Sequence, residues 1–287
     1  MTHPADPIVS TSWLANHLGQ PDLKVIDAPF YMPGDPRTPQ GEYGAAHIPG
    51  AALFDLEAIA DHATGLPHML AAPEVFAAAV GAMGIGAGDR LVVYDHIGLL
   101  SAARVWWNFR VMGHDQVFVL DGGLPRWIAE GRPTEQGAPA PVPPAAFVAN
   151  VRPALVRTID QVKQALDRGG QVLDARSSGR FRGIEPEPRP GLPSGHMPGS
   201  SNLPHSEIVL DGRLLAAADL AAKFEVAGVD PALPIIATCG SGVSAAILAL
   251  ALARLGHWDT PVYDGSWTEW ASQPDAAIVR DGNSTHD

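Results

Sequence analysis

The segment PIIATCGSGVSAAILALALARLGH (234–257) decides the fold of this chain. Its first part is a short apolar run typical of a buried strand, and its last part, from Val243, has the length and composition of a helix. Gly240 and Gly242 separate the two parts, so the segment reads as one βα unit around a mostly parallel sheet. With Pro234 these glycines also interrupt the least charged stretch of the chain. We therefore expect no membrane span there, because a bilayer needs about 20 continuous apolar residues.

The same series of signals occurs twice along the chain. In each half, a strand ending in Asp is followed by a His-X-Pro-Gly motif, a second strand, a helix and a segment beginning Asp-Gly. The matching pairs are VIDA (25–28) and VLDAR (172–176), AHIPGAA (46–52) and GHMPGSSN (195–202), LVVYD (91–95) and PIIATC (234–239), SAARVWWNFRVMGH (101–114) and VSAAILALALARLGH (243–257), and VLDGGLPRW (119–127) and VYDGSWTEW (262–270). Such a long internal repeat indicates a duplicated α/β domain, each copy a mostly parallel sheet flanked by helices.

A Pro-rich stretch, RPTEQGAPAPVPP (132–144), separates the two series and shows neither helical nor strand periodicity. We place the connection between the domains there. The predicted division is an N-terminal domain over 1–131, a linker over 132–153 and a C-terminal catalytic domain over 154–287.

Composition excludes several classes of function. The 287 residues carry a formal net charge of -12, with a pI near 5.3 and no cluster of Lys or Arg. Nucleic acids and anionic membranes both require a concentrated positive field, so neither is expected as a partner. The first residues, MTHPADPIVS (1–10), lack the pattern of a signal peptide, and we expect a cytoplasmic location.

The single cysteine, Cys239, excludes a disulfide framework and a multi-cysteine zinc site. It ends a predicted parallel strand, which is where ligands bind in such sheets. Asp95 has the corresponding place in the first half, so the sequence predicts one catalytic domain and one supporting domain. No metal or organic cofactor is expected.

The loop after Cys239 favours a nucleophile over a buried structural cysteine. Gly240 and Gly242 allow tight turns in which successive N–H groups converge, and the start of a helix lies next to them. Such a loop stabilises a thiolate. A cysteine-dependent phosphatase would need arginine where Ala245 stands, and a nucleotide-binding P-loop would need a lysine that the segment lacks.

The duplicated domain, the two His-X-Pro-Gly motifs and CGSGVS (239–244) resemble the two-domain rhodanese-like sulfurtransferases. The resemblance is strongest to the branch that uses 3-mercaptopyruvate. In the thiosulfate-using branch Arg and Lys typically follow the cysteine, where this chain has Gly240 and Ser241. The resemblance covers nearly the whole chain and implies two tandem rhodanese-like domains.

A carboxylate-bearing substrate needs a cationic binder, and GRFRGIEPEPR (179–189) supplies three arginines. The resemblance implies that Arg180 and Arg189 bind the substrate, and we assign Arg182 to surface ion pairing. The alternative is that all three arginines pair with Glu185 and Glu187 on a solvated loop.

The resemblance also implies that residues from both halves assist the cysteine. By position these are Glu57, His68 and Ser241, although the family more often has aspartate where Glu57 stands. His68 is a candidate proton shuttle, and Ser241 either donates a hydrogen bond to the reacting groups or favours the turn. The remaining loop residues are expected to contact the substrate sulfur through their N–H groups; they are Gly240, Gly242, Val243 and Ser244.

Other conspicuous residues are expected to be structural. His47 and His196 occur in both repeats while the cysteine occurs in one, so we expect them to stabilise turns. The tryptophans are expected in packing; they include Trp106, Trp107, Trp127, Trp267 and Trp270.

The function implied is transfer of sulfur from 3-mercaptopyruvate to Cys239 as a persulfide, with release of pyruvate, and then to a thiol or cyanide. A thioredoxin-like protein is one candidate acceptor, and a monomer is expected. Two alternatives stay open: a thiosulfate:cyanide sulfurtransferase, and a non-enzymatic persulfide carrier or binding module.

Overall fold

The computed structural model describes residues 6–32 and 34–281. These residues form two compact units that are not continuous in sequence. Unit 1 comprises residues 6–63, 70–153 and 209–214, and unit 2 comprises residues 64–69, 154–208 and 215–281.

Unit 1 contains a five-stranded parallel sheet in the order β1-β5-β4-β2-β3. The strands are β1 (Ile8–Val9), β2 (Leu23–Asp27), β3 (Ala52–Leu53), β4 (Arg90–Tyr94) and β5 (Val117–Leu120). The helices are α1 (Thr11–His17), α2 (Pro39–Ala45), α3 (Pro73–Ala82), α4 (Ser101–Val111) and α5 (Gly123–Ala129).

Unit 2 repeats this arrangement, with the strand order β6-β12-β11-β7-β8. The strands are β6 (Val156–Arg157), β7 (Gln171–Asp174), β8 (Ser201–Asn202), β11 (Ile235–Thr238) and β12 (Val262–Tyr263). The helices are α6 (Ile159–Asp167), α7 (Ser178–Arg182), α8 (Ala217–Val226), α9 (Ala245–Arg254) and α10 (Ser266–Ala271), with short 3₁₀ turns at Pro153–Leu155 and His205–Glu207. An antiparallel hairpin, β9 (Val209–Leu210) and β10 (Arg213–Leu214), interrupts unit 2 in sequence and belongs to unit 1.

The identical strand order in the two sheets confirms the predicted duplicated α/β fold. The middle strand of each sheet, β4 or β11, is buried almost throughout. Each leads through a loop into a buried helix, α4 or α9, whose apolar residues cover the sheet. α9 is apolar on nearly all sides, as expected for a helix without a solvent face.

Two local features explain how the chain divides between the units. Gly98 in unit 1 approaches Gly212 of the hairpin so closely that a β-carbon on Gly98 would overlap the Gly212 backbone. The predicted linker also lies on unit 1, where Glu135 forms a two-way backbone bridge with His47 and Ala145 N–H donates to Gly81 O (2.9 Å). The proline-rich composition of this segment therefore accompanies an extended strap on a folded surface.

Within the part of the chain that the structure describes, no helix combines the length and the apolar composition that crossing a membrane requires.

Candidate active site

Cys239 directly follows β11 at the carboxyl end of the sheet of unit 2 and is 2% exposed. Its carbonyl accepts the N–H of Trp267 (2.9 Å), and the carbonyl of Gly240 accepts the N–H of Thr268 (3.0 Å). Both donors lie in the first turn of α10. Because C=O and N–H point in opposite directions across a trans peptide, the N–H groups of Gly240 and Ser241 face away from these donors. The start of α10 thereby orients the cysteine loop.

The corresponding loop of unit 1 shows what such an arrangement binds. Asp95 directly follows β4, and its carbonyl accepts the N–H of Leu124 (3.0 Å), as Cys239 does from Trp267. The Asp95 carboxylate accepts three backbone N–H groups of its own loop. They belong to Ile97 (3.1 Å), Leu100 (2.6 Å) and Ala102 (3.0 Å). The loop of unit 1 is therefore an anion cradle occupied by its own aspartate.

The same amides are present around Cys239. Counted from Asp95 and Cys239, Ser241 and Ser244 match Ile97 and Leu100, and neither N–H donates to another residue within 6–32 and 34–281. The third matching N–H, that of Ala246, donates to Val243 O (3.2 Å). Gly242 takes a positive φ of 76°, a conformation that favours glycine. In place of a carboxylate the loop holds a buried thiol, so the N–H groups of Ser241 and Ser244 are available to a negative sulfur.

A β-carbon on Gly240 would lie 2.9 Å from Nη2 of Arg180, at the end of a flexible side chain. This contact places Arg180, from α7, beside the cysteine loop as predicted for a substrate binder. The Arg180 side chain is 23% exposed, and its Nη1 has no hydrogen-bond partner among the described residues. The edge of the guanidinium that carries Nη1 can therefore bind a ligand.

Arg180 is also paired, as the alternative interpretation proposed. Its Nε and Nη2 donate to Oε2 of Glu187 (3.1 and 2.5 Å). The loop is solvated at Glu185, Pro186 and Pro188, but the Glu187 side chain itself is only 3% exposed. The buried Glu187 carboxylate therefore fixes the orientation of the Arg180 guanidinium.

Arg176, which no sequence motif marked as a site residue, completes this buried network. Its Nη1 donates to Glu187 Oε1 (2.7 Å), its Nη2 donates to Asp174 Oδ2 (2.6 Å), and its guanidinium lies over the ring of Trp267 (4.2 Å). Burial lowers the pKa of Arg176, but the two carboxylates raise it further, and the net direction is upward. The charges of this network therefore cancel: the guanidinium groups of Arg176 and Arg180 neutralise the two carboxylates, those of Asp174 and Glu187.

Arg189 and His68 are brought together in unit 2. Nη2 of Arg189 lies 2.8 Å from Nε2 of His68, and His68 is only 4% exposed. A guanidinium can only donate, so this contact requires a neutral imidazole that carries its proton on Nδ1. No sequence pattern marks the segment 64–69 as part of unit 2, and its position there explains how a residue of the first half can meet Arg189.

The other predicted residues have separate environments. Glu57 is an exposed residue of unit 1 whose N–H donates to Asp55 Oδ1 (3.0 Å), and its assisting role stays a prediction. Arg182 is exposed and pairs with Asp281 (3.0 Å), in keeping with surface ion pairing. Ser241 and Val243 are buried, and Ser244 is half-buried.

The two repeated histidines make the same structural contacts. His47 stacks on Tyr43 (3.9 Å) and its Nδ1 bonds to the Tyr43 carbonyl (2.8 Å). His196 stacks on Phe181 (4.0 Å) and its Nδ1 bonds to the Phe181 carbonyl (2.9 Å). Both stabilise a turn, as expected.

Known proteins match this chain over nearly its full length. The family model of the rhodanese-like domain matches residues 10–130 and 158–273. The thiosulfate/3-mercaptopyruvate sulfurtransferase 1, mitochondrial, of Arabidopsis thaliana is 48% identical over 296 residues, which cover 96% of this chain and 78% of that protein. The human 3-mercaptopyruvate sulfurtransferase is 41% identical over 290 residues, 97% of each chain.

Among solved structures, the crystal structure of SseA from Escherichia coli, described as a 3-mercaptopyruvate sulfotransferase, superposes with a TM-score of 0.84. It is 40% identical, and the match covers 91% of this chain and 99% of SseA. The two repeats, the cysteine loop and these relatives lead to one conclusion: the chain is a member of the rhodanese-like domain family and contains two copies of that domain.

Proposed function

We propose that this protein is a 3-mercaptopyruvate sulfurtransferase that carries sulfur on Cys239. One observation supports this most directly: the buried Cys239 lies in a loop whose repeat binds a carboxylate through three backbone N–H groups. The loop of unit 2 is thereby suited to hold a persulfide anion on the cysteine. The names of the plant, human and bacterial relatives point to the same activity.

In the first step, the thiolate of Cys239 attacks the sulfur of 3-mercaptopyruvate. A sulfur–sulfur bond forms and the substrate's carbon–sulfur bond breaks. The electron pair of the broken bond is delocalised onto the neighbouring ketone, so the leaving group is the enolate of pyruvate. The enolate takes up a proton and leaves as pyruvate. The persulfide then passes its outer sulfur to a nucleophilic acceptor, which regenerates the thiolate.

Arg180 and Arg189 are proposed to bind the substrate carboxylate. Arg180 lies beside Gly240 and has an open Nη1, so it can bind a carboxylate while Glu187 holds its other edge. The absence of a side chain on Gly240 leaves room for that guanidinium. Arg and Lys beside the cysteine would suit a thiosulfate dianion, and this chain has Gly240 and Ser241 there.

His68 and Ser241 are proposed to serve the proton transfer to the enolate. In the contact with Arg189, neutral His68 carries its proton on Nδ1, and it can pass that proton on only as a relay that accepts another proton at Nε2. Arg189 would then couple substrate binding to the orientation of His68. Glu57 keeps the assisting role implied by the family, to be tested by Glu57→Gln.

The acceptor is proposed to be a small thiol, cyanide or a thioredoxin-like protein, with the enzyme acting as a monomer in the cytoplasm. The lone free Cys239 supports this proposal, because a reducing compartment would keep it reduced between turnovers and supply thiol acceptors.

Steady-state kinetics with 3-mercaptopyruvate and thiosulfate, measured side by side with one acceptor, test the proposal. The expected result is a kcat/KM for 3-mercaptopyruvate at least about tenfold above that for thiosulfate, since the discriminating charge sits at the carboxylate binders. A preference for thiosulfate would establish the rival sulfurtransferase. Failure of both donors, with Cys239 still able to accept sulfur from a protein persulfide, would favour the carrier.

A further inference from the structure

Two hydroxyl side chains of α10 contact the backbone of the cysteine loop. Ser266 Oγ accepts the N–H of Cys239 (3.3 Å), and Thr268 Oγ1 donates to the carbonyl of Gly240 (2.7 Å). Ser266 is fully buried and Thr268 is 9% exposed. Both hydroxyls therefore hold the backbone at and next to Cys239, the proposed sulfur carrier.

Unit 1 lacks both contacts at the matching positions. Gly123 corresponds to Ser266 and Pro125 to Thr268, with Leu124 and Trp267 between them making the same backbone bond. Glycine has no side chain, and proline has neither a hydroxyl nor an N–H to offer. The hydroxyls thus accompany the repeat that has the cysteine and are missing from the repeat that has aspartate.

Ser266 keeps an unfavourable backbone conformation. Its φ is 52°, close to the 54° of Gly123, and few residues other than glycine adopt this region without cost. In unit 1 a β-carbon on Gly123 would lie 2.6 Å from the Asp95 carbonyl, so glycine is required there. In unit 2 the serine is accommodated, and its hydroxyl also donates to Tyr263 O (2.7 Å) and accepts from Thr238 Oγ1 (3.4 Å).

Thr268 binds the Gly240 carbonyl twice, through its N–H (3.0 Å) and through its hydroxyl. Two donors on one oxygen hold the peptide between Gly240 and Ser241 in a single orientation. That orientation turns the Ser241 N–H away from α10. The matching N–H in unit 1, on Ile97, donates to the side chain of Asp95 (3.1 Å).

We propose that Thr268 and Ser266 are positioning residues for sulfur transfer. They hold the Cys239 and Gly240 backbone so that the Ser241 N–H faces the reacting sulfur, as the Ile97 N–H faces the Asp95 carboxylate. The inference rests on the proposed function for its substrate. Their hydroxyls bond to the backbone of the cysteine loop, so we expect both to act on the rate of the sulfur step and not on donor binding.

The test compares Thr268→Val, which removes only the hydroxyl bond, with Thr268→Ser, which restores it, and with Ser266→Gly, which installs the residue of unit 1. Thr260→Val is the matched control: Thr260 is 8% exposed, and its hydroxyl likewise donates to a carbonyl, that of His257 (3.2 Å). Thr260 precedes β12, at the opposite end of the sheet from Cys239. The readouts are the single-turnover rate of pyruvate release at saturating 3-mercaptopyruvate, the donor concentration at half-maximal rate, and Tm.

We expect Thr268→Val and Ser266→Gly to slow pyruvate release about threefold to tenfold, the equivalent of one ordinary hydrogen bond, with the half-maximal donor concentration unchanged. Thr268→Ser should recover the wild-type rate within about twofold. Thr260→Val should lower Tm without slowing the reaction. A wild-type rate in Thr268→Val, an equally slow Thr268→Ser, or an equal loss of rate in Thr260→Val would overturn the inference.

Failure of the proposed function would be recognised separately, because wild-type protein would then release no pyruvate. In that case the rate at which iodoacetamide alkylates Cys239, the single thiol, replaces pyruvate release as the readout. Slower alkylation in Thr268→Val, rescued in Thr268→Ser, would still support positioning, and equal rates would refute it.

Discussion

Asp95 and Cys239 hold the same place in the two repeats. Each directly follows the middle strand of its sheet, gives its carbonyl to the first turn of a following helix, and begins a loop in which a glycine has positive φ. In one repeat the side chain is an anion already bound by backbone N–H groups, and in the other it is a thiol. Duplication has thus left one loop filled and one loop reactive.

Asp95→Asn should destabilise the protein by about 1–3 kcal/mol. One carboxylate oxygen accepts from Ile97 and the other accepts from Leu100 and Ala102, whereas an amide offers one acceptor and turns a donor toward the remaining N–H. The measurement is the free energy of unfolding in urea. Asp211→Asn is the control, because Asp211 is exposed and asparagine tolerates its φ of 51°. Equal stability of the two variants would contradict the claim that the Asp95 carboxylate stabilises its loop through these three N–H groups.

Gly240→Ala should raise the KM for 3-mercaptopyruvate, because the added methyl group would lie 2.9 Å from Arg180 Nη2 and displace it. The displaced group is the end of a flexible side chain, so Tm should change little. Gly44→Ala, in α2, is the control, since a β-carbon there meets nothing within 4 Å. An unchanged KM would separate Arg180 from substrate binding.

Arg189→Ala should lower kcat/KM for 3-mercaptopyruvate by an order of magnitude or more, since it removes the proposed charge-assisted bond to the substrate and the contact with His68. Arg189→Lys should recover only part, because lysine lacks the planar fork. Arg182→Ala, which loses an exposed pair with Asp281, serves as the control. Wild-type kinetics in Arg189→Ala would leave the arginine with a structural role only.

Glu130 should contribute to stability at neutral pH and lose that contribution in acid. Hydrogen bonds from Thr11 (2.6 Å), Arg132 (2.8 Å) and Arg126 (2.9 Å) lower the pKa of Glu130 to about 2. A lowered folded-state pKa means that stability is full above the unfolded value, near 4.5, and falls as pH drops from there toward 2.

Unfolding curves recorded from pH 6 to pH 2 in roughly one-unit steps check this expectation. Glu130→Gln should be less stable than wild type at the upper end and should converge with it in acid. Glu225→Gln is the control, since the Glu225 side chain is exposed and bonds to no described residue. A constant difference between Glu130→Gln and wild type across this range would contradict the assignment.

The repeat made the fold predictable from sequence. Two series of motifs in one order imply two copies of one sheet, and the ends of β4 and β11 lie where the patterns LVVYD (91–95) and PIIATC (234–239) place them. The cysteine loop was predictable for a similar reason, since strand, glycine turn and helix are local features.

Contacts between distant residues were not predictable in this way. Arg176 and Glu187 meet only because the chain returns to the same buried point, and no local pattern marks either as part of a network with Arg180. His68 lies in unit 2 because the segment 64–69 belongs to that unit, although the chain on both sides of it belongs to unit 1. No compositional pattern marks this segment. The roles of hydroxyls such as Thr268 became visible only when the two repeats were compared in three dimensions.

The central claim is that Cys239 carries the sulfur, and the intact mass of the protein after incubation with 3-mercaptopyruvate under non-reducing conditions tests it most directly. Wild-type protein should gain the mass of one sulfur atom, lose it on addition of cyanide, and release one pyruvate for each sulfur gained. Cys239→Ser should keep the wild-type Tm but gain no mass and release no pyruvate, because serine cannot hold a persulfide. Turnover of 3-mercaptopyruvate by wild type without any gain in mass, or turnover by Cys239→Ser, would contradict the account.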